Sequence, residues 1–350
     1  PSLELLDYVG ERITQVPILL CICFRPREDI DLDMLSAMNC TWRILDELQP
    51  GQNAELVRAI LGEVDLPHTL EQEIFERTQG NPLFVEEILN SFVVSGVLVP
   101  ENGYYRLSGD ASDITIPDTL QDLMMARIDR LEAPSRDLIK VASVIDRRFP
   151  YAILQGIYPY PMSDLEMNER LNELVRPYDF TRLEHPEPDL VYLFKHALTR
   201  DVAYASLPFA RRRELHQRAG EYIETTYSDR VEEHYSTLAY HFDQSKQWER
   251  ALNYNLLAGV QAQEVYANDE ALRYYQKVEV CLAHLPGQLH WVSDLRMRLK
   301  RSVLHRLNGD YELAEADLRR VLDLARTHHN TRSEAEAYCL LADLRYYEMR

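Results

Sequence analysis

No Gly-Lys dipeptide occurs anywhere in the 350 residues. That removes the glycine-rich loop whose Lys reaches the phosphates of a bound nucleotide. The chain also has no His-Glu-x-x-His, no Gly-x-Ser-x-Gly elbow and no Cys/His grouping at zinc spacing, so zincin, α/β-hydrolase and structural-zinc chemistry are excluded within it. No carboxylate pair stands out from the general acidity, and no complete catalytic site is expected. Positive charge is in deficit: 38 Lys and Arg face 57 Asp and Glu, for a formal net charge of −19. A nucleic-acid binder needs a basic face to displace counterions, so direct nucleic-acid binding is not expected of this segment. The longest apolar run, Pro17 to Phe24, falls far short of the roughly 20 residues that a helix needs to cross a bilayer. No membrane partner is expected, and no signal-peptide pattern opens the chain. Five scattered cysteines (Cys21, Cys23, Cys40, Cys281, Cys339) read as reduced, apolar and buried, which fits a cytoplasmic location.

What is present is mostly helical pattern, with one α/β-like stretch at the start. Ser2 can cap a helix bearing Leu3, Leu5, Leu6, Val9 and Ile13, which Pro17 breaks. Ile18 to Phe24 is continuously apolar, as a strand buried on both faces of a parallel sheet should be. It ends at Arg25-Pro26, which puts a cation at the strand's carboxyl end, where open α/β sheets bind ligands. A surface Arg after a core strand fits equally well. A second short strand is expected at Thr41 to Leu45. Residues 1–48 therefore predict the trailing part of an α/β core, too short to close a doubly wound sheet. The chain starts at Pro1 without Met and ends inside a helical pattern, so a longer parent protein is expected.

Residues 49–115 predict a helical region with a β-hairpin. Helices are expected near Gln52 to Leu61, Thr69 to Thr78 and Pro82 to Ser95, followed by strands around Val97 to Val99 and Tyr104 to Leu107. Between the second and third helices lies Gln79-Gly80-Asn81-Pro82-Leu83-Phe84. Gly80 suits the left-handed residue after a helix end, and Pro82 suits the first turn of the next helix. The donors at that new N-terminus carry partial positive charge and can face an anion. The same chemistry also makes an ordinary structural turn.

Residues 116–207 predict helices from Pro117, from Pro134, over Tyr151 to Ile157 and from the capping sequence Ser163-Asp164-Leu165-Glu166 to Val175. Strands at Phe180 to Glu184 and Leu190 to Phe194 complete a winged-helix order. The helix in the reading position carries Glu166, Glu169 and Glu173 against Arg170 and Arg176, and phosphate would repel it. Lys195-His196-Ala197-Leu198 opens another helix, where His196 reads from the residues alone as a solvated or core histidine.

Residues 208–350 are helical throughout. Related phrases recur at Trp248 to Tyr254, Asn268 to Tyr274 and Gly309 to Ala316, with small Ala251, Ala271 and Ala314 spaced by 20 and 43 residues. This predicts a degenerate, tetratricopeptide-like solenoid, incomplete at its C-terminus, whose surface suits protein partners.

Taken together, Phe24-Arg25-Pro26, Gly80-Asn81-Pro82-Leu83-Phe84, Ile116-Pro117-Asp118-Thr119-Leu120, Phe194-Lys195-His196-Ala197-Leu198 and the terminal repeats closely resemble the STAND-type AAA-related ATPase regulators. In that family the module accompanies an adenylate/guanylate cyclase or kinase domain, or precedes a LuxR-type DNA-binding domain. The resemblance implies a mainly α protein: the edge of a P-loop ATPase core, a helical lid, a winged helix and an α-solenoid. It places the Walker A and Walker B segments before Ser2 to Leu6. It makes Arg25 the sensor residue, Gly80, Asn81 and Pro82 the lid contact on the nucleotide base, and His196 the histidine that touches the ADP β-phosphate in related switches. Ala197 stands where that last motif has Asp. The implied cofactor is ATP or ADP with Mg in the full-length protein. The implied partners are a protein or inducer on the repeats, with nucleotide-dependent self-association. The implied function is the regulatory portion of a nucleotide-dependent signal-transduction switch. A non-catalytic interaction scaffold with a decayed ATPase remnant, or part of a LuxR-type activator, are the rival readings. Because the phosphate-gripping half is missing from these residues, a nucleotide-binding assay on residues 1–350 is expected to show little affinity for ATP or ADP. Tight binding would overturn the proposed boundary.

Overall fold

From residue 50 onward, almost every stretch with apolar residues at helical spacing becomes a helix in the computed structural model. The structure describes residues 43–62, 66–101, 104–108, 116–185, 190–286 and 290–348, with residues 8–9, 12, 17, 19, 21–23, 41 and 114. The described residues form fifteen α-helices and five short strands. None of these helices is long and apolar enough to cross a membrane.

The α/β start is corrected where it is described. Leu19 is 93% exposed, and Cys21, Ile22 and Cys23 are exposed and carry no strand. Ile44 and Leu45, 84% and 87% exposed, likewise belong to no strand. A buried parallel strand needs hydrogen-bonded neighbours on both sides, and among the described residues nothing pairs with these stretches. The cysteines follow suit: Cys281 is buried as expected, whereas Cys21, Cys23 and Cys339 are exposed. Arg25 and the rest of the apolar run lie outside the described residues.

The first unit holds α1 (Pro50–Leu61), α2 (His68–Thr78), α3 (Pro82–Val94) and the antiparallel hairpin β1 (Leu98–Glu101) with β2 (Tyr104–Leu107). Gln49 and Gln52 satisfy each other's backbone donors at the start of α1, a reciprocal cap. Helix α3 is apolar nearly all round and is buried accordingly. Phe84, Val85, Ile88, Leu89 and Phe92 meet Val57, Leu70, Ile74 and Leu98 in one cluster, which Ile116 and Leu123 join from the next unit.

That central unit comprises α4 (Leu120–Asp129), α5 (Ala133–Ile145), β3 (Arg148–Pro150), α6 (Tyr151–Ile157), α7 (Asp164–Val175), β4 (Thr181–His185), β5 (Val191–Phe194) and α8 (Ala197–Ala205). Helix α4 starts later than Pro117 because Thr119 caps it, accepting from the Asp122 N–H at 3.1 Å. Ser163 caps α7 in the same way, accepting from the Glu166 N–H at 3.2 Å. The strands form one antiparallel sheet in the order β3-β5-β4. Strand β3 was not expected, since three residues cannot show alternation. It forms because Phe149 packs against Tyr192 and Phe194 with ring centroids 5.8 and 5.3 Å apart.

The remaining helices run α9 (Phe209–Thr226), a 3-10 turn (Ser228–His234), α10 (Tyr235–Ser245), α11 (Trp248–Glu264), α12 (Asn268–Ala283), α13 (Trp291–Asn308), α14 (Tyr311–Thr327) and α15 (Thr331–Glu348), each packed on its neighbour in sequence. Ala251, Ala271 and Ala314 are fully buried at helix contacts. Their uneven spacing has a simple origin: Ala251 lies on the first helix of a hairpin, while Ala271 and Ala314 lie on the second helices of successive hairpins. The period is therefore 43 residues. Each hairpin is closed by the same pair of rings: Trp248 stacks on His284 and Trp291 on His328, with centroids 4.2 and 4.3 Å apart. Close approach within the α11–α12 hairpin requires Gly259, since a Cβ there would stand 2.6 Å from the Tyr275 ring. One apolar core runs unbroken from Met124 in α4 to Leu304 in α13.

At the start of the helical array, Tyr204 Oη lies 3.0 Å from His216 Nε2, and His216 Nδ1 lies 2.9 Å from His241 Nδ1. Both imidazoles are fully buried. His241 Nε2 has no hydrogen-bond partner. An orphaned lone pair costs less than an orphaned N–H, which favours the tautomers in which His241 donates to His216 and His216 donates to Tyr204. Burial drives both rings below their usual value of 6.5: His216 to about 3, with His241 adding to the shift, and His241 to about 4. The unfolded chain takes up protons near pH 6.5 and the folded one does not, so stability is full above that pH and falls as pH drops toward 4. The loss should be on the order of 2 kcal/mol per ring at about pH 5. Chemical denaturation across this range should show the slope, and His216→Gln combined with His241→Gln should flatten it.

Candidate functional site

The turn before α3 contains two consecutive left-handed residues, Gln79 at φ 50° and Gly80 at φ 72°. Gln79, rather than Gly80, closes α2, donating its N–H to Phe75 O at 2.8 Å. Gly80 has a second reason to be glycine. The incoming chain crosses it closely: Leu48 N donates to Gly80 O at 2.9 Å, and the Leu48 carbonyl fills the space a Cβ would need. Asn81 caps α3, its Oδ1 accepting from the Phe84 N–H at 3.2 Å, and Pro82 takes the first helical position. Both Asn81 and Pro82 are exposed at the positive end of the helix dipole.

Farther along α3 come Glu86 and Glu87, the only charges in that helix. Glu87 is buried and pairs with the buried guanidinium of Arg127 on α4, their side chains 2% and 5% exposed. Arg127 also donates from Nη2 to Tyr178 O at 2.7 Å and lies 4.7 Å from the Phe180 ring centre. Burial pulls its pKa down to about 10 against the pull of Asp179 and Glu86, so it remains a cation at neutral pH. Above this pair, Lys195 Nζ donates to Glu86 Oε1 at 2.7 Å and to Asp179 Oδ2 at 2.5 Å. Burial works to lower the Lys195 pKa, but the two carboxylates outweigh it and the net shift is upward. Arg130 adds a bond from Nη1 to Ser91 Oγ at 3.1 Å.

His196 sits at the N-cap of α8, with Nε2 3.6 Å from Glu87 Oε1 and no hydrogen-bond partner on that nitrogen. Burial, helped by Lys195, lowers its pKa, so the ring is neutral at pH 7. The structure thus brings His196 to the helix headed by Gly80, Asn81 and Pro82. The meeting point is Glu87, five residues from Pro82 and so about 7.5 Å along the axis. Arg25 lies outside the described residues. Glu86, Glu87 and Lys195 lie inside or beside the motif segments without a role assigned from sequence, and Arg127 and Asp179 lie outside them. The signal available was a pair of adjacent carboxylates in an otherwise apolar helix, where an unpaired charge would be prohibitive.

Among the described residues no group of three or more His, Cys, Asp or Glu could hold a metal ion, and at the junction Arg127 and Lys195 are matched by carboxylates while Arg130 bonds to the Ser91 hydroxyl.

Residues 50–105, from α1 into β2, match a family described as a domain of unknown function (DUF8739). No curated protein sequence matches the chain. Among solved structures, a Signal Transduction ATPase with Numerous Domains (STAND) protein with a tetratricopeptide repeat sensor from Pyrococcus horikoshii is similar at 12% identity and a TM-score of 0.32, over 87% of this chain and 45% of that one. The chain spans less than half the length of that protein.

Removing one member of a buried ion pair strands the other charge. Arg127→Met is expected to cost about 3–5 kcal/mol, read as a fall in the urea midpoint. Combining it with Glu87→Met should recover most of that loss.

Proposed function

We propose that this chain is the regulatory portion of a nucleotide-dependent signal-transduction switch of the STAND type. Residues 49–115 act as the lid and residues 116–207 as a winged helix, and the two together sense ATP or ADP. The helical hairpins from residue 208 are tetratricopeptide-like repeats that bind a protein partner or inducer. The observation that carries the reading is the convergence of His196 and the helix behind Gly80-Asn81-Pro82 on one buried carboxylate, Glu87, at 3.6 Å from the imidazole. Two segments more than 100 residues apart in sequence, one resembling the family's lid motif and the other its histidine motif with Ala197 in place of Asp, therefore flank one junction. The winged-helix reading is supported by the helix order and the β3-β5-β4 sheet.

In this reading the described arrangement, with the lid packed on the winged helix, is the closed form. ATP or ADP with Mg would be gripped by the P-loop half of the parent protein. The chain's own residues would add the base contact at Pro82 and a neutral histidine, and Arg25 would be the sensor cation. Partner binding to the repeats shifts the population toward an open form able to self-associate, which requires the partner to bind the two forms with different affinity. A cytoplasmic location is part of the same proposal.

A second reading, an interaction scaffold with no nucleotide dependence, is favoured by Gly80. The Leu48 backbone occupies its open face, so packing alone explains that glycine. The two readings part on one measurement. Under the switch reading, Pro82→Ala and His196→Ala in the full-length parent protein should weaken ADP binding by about tenfold, the effect of losing a contact worth about 1.4 kcal/mol. Unchanged ADP affinity in both variants would favour the scaffold.

A further inference from the structure

The charged groups between α3 and the central unit form two layers that differ in their access to water. Glu87 and Arg127 are 2% and 5% exposed. Over them, Lys195, Glu86 and Asp179 are 28%, 34% and 47% exposed. Lys195 and Glu86 lie 109 residues apart and on different units. Asp179 is held at φ 56°, in the left-handed region that Asp adopts more readily than most non-glycine residues. The turn that presents it is gripped by Arg127, through the Tyr178 carbonyl on one side and the Phe180 ring on the other. Lys195 therefore meets one carboxylate from each unit, Glu86 from α3 and Asp179 from this braced turn.

We propose that Lys195 is a salt-sensitive catch that holds the first unit closed on the central unit, with the buried Glu87–Arg127 pair beneath it as the fixed pivot. The proposal rests on the reading of this junction as the part that moves, but not on which ligand moves it. Solvated charges are screened by mobile ions, whereas a buried pair is screened much less. Ionic strength, or any anion or cation that competes for one of the three exposed groups, therefore loosens the upper layer and leaves the lower one intact. Asp179 keeps the released ammonium close to its docking position, so the catch can close again.

Amide hydrogen exchange on the 350-residue chain without nucleotide tests this. Lys195→Met is expected to speed exchange in residues 82–94 and 120–129 by about tenfold at low salt, the scale of a favourable three-charge network. Exchange in the α11–α14 hairpins should not change. Wild-type exchange at the junction should rise toward the variant's value at roughly 0.5 M salt, where screening acts over a few ångströms. The variant should show a smaller further response to salt, the remainder coming from the exposed Arg77–Asp118 pair that also spans the two units. Glu86→Gln should act in the same direction, and combining the two should add less than the product of the single effects. Exchange at the junction within about twofold of wild type in both single variants, or effects that simply multiply, would overturn the catch. Should Lys195→Met fail to fold, Glu86→Gln decides alone, since it removes only a charge at a partly solvated site. Because no nucleotide is present, a failed nucleotide assay would leave this result standing, and the reverse also holds.

Discussion

The arrangement of this protein hangs on one buried ion pair. Taking Glu87 and Arg127 out of water costs several kcal/mol per ion, and that is recovered only because each charge finds the other and because Arg127 also reaches the Tyr178 carbonyl and the Phe180 ring. Nonspecific apolar packing could join α3 and α4 in many registers. A charge pair in a dry site allows very few. The pair ties α3 to the central unit beside Glu86, His196 and the turn that carries Asp179, where Ile116 and Leu123 add apolar contact.

Apolar packing divides the molecule differently. The first unit has its own core, to which the central unit contributes Ile116 and Leu123. The central unit has no such independence from the hairpins, since one apolar cluster continues from Met124 to Leu304. The hydrogen-bonded series Tyr204, His216, His241 crosses from α8 to α10 within that shared core. A motion at the first unit's junction therefore leaves a single larger body on the other side. The same series ties the first hairpins to α8, whose N-cap position His196 occupies.

Much of this was legible in the residues. Helix limits set by local chemistry were read closely: α6 falls on Tyr151–Ile157 and α7 on Asp164–Val175, because Ser163 and the surrounding prolines act within a few residues. The hairpin of β1 and β2 was legible from its turn residues. Features that depended on distant neighbours were not. Strand β3 exists only because β5 accepts it, and among the described residues Leu19, Cys21, Ile22, Cys23, Ile44 and Leu45 find no neighbour that would make them strands. The role of Gly80 was half legible: its positive φ follows from sequence, whereas the crossing of Leu48 does not. At the candidate site, His196 and the Gly80-Asn81-Pro82 turn were found as motifs. The ions between them escaped notice because a charge's partner is chosen in three dimensions, as Lys195 chooses Glu86 across 109 residues.

The stacked rings at Trp248–His284 and Trp291–His328 join the beginning of one helix to the chain just beyond the end of the next. Each of these two hairpins is thus buttoned at its open end as well as joined at its turn. Tension applied along the array would have to undo one aromatic button before the two helices behind it could separate. The hairpins would then yield in discrete steps, and a pull on one end would reach the central unit in quanta of one link.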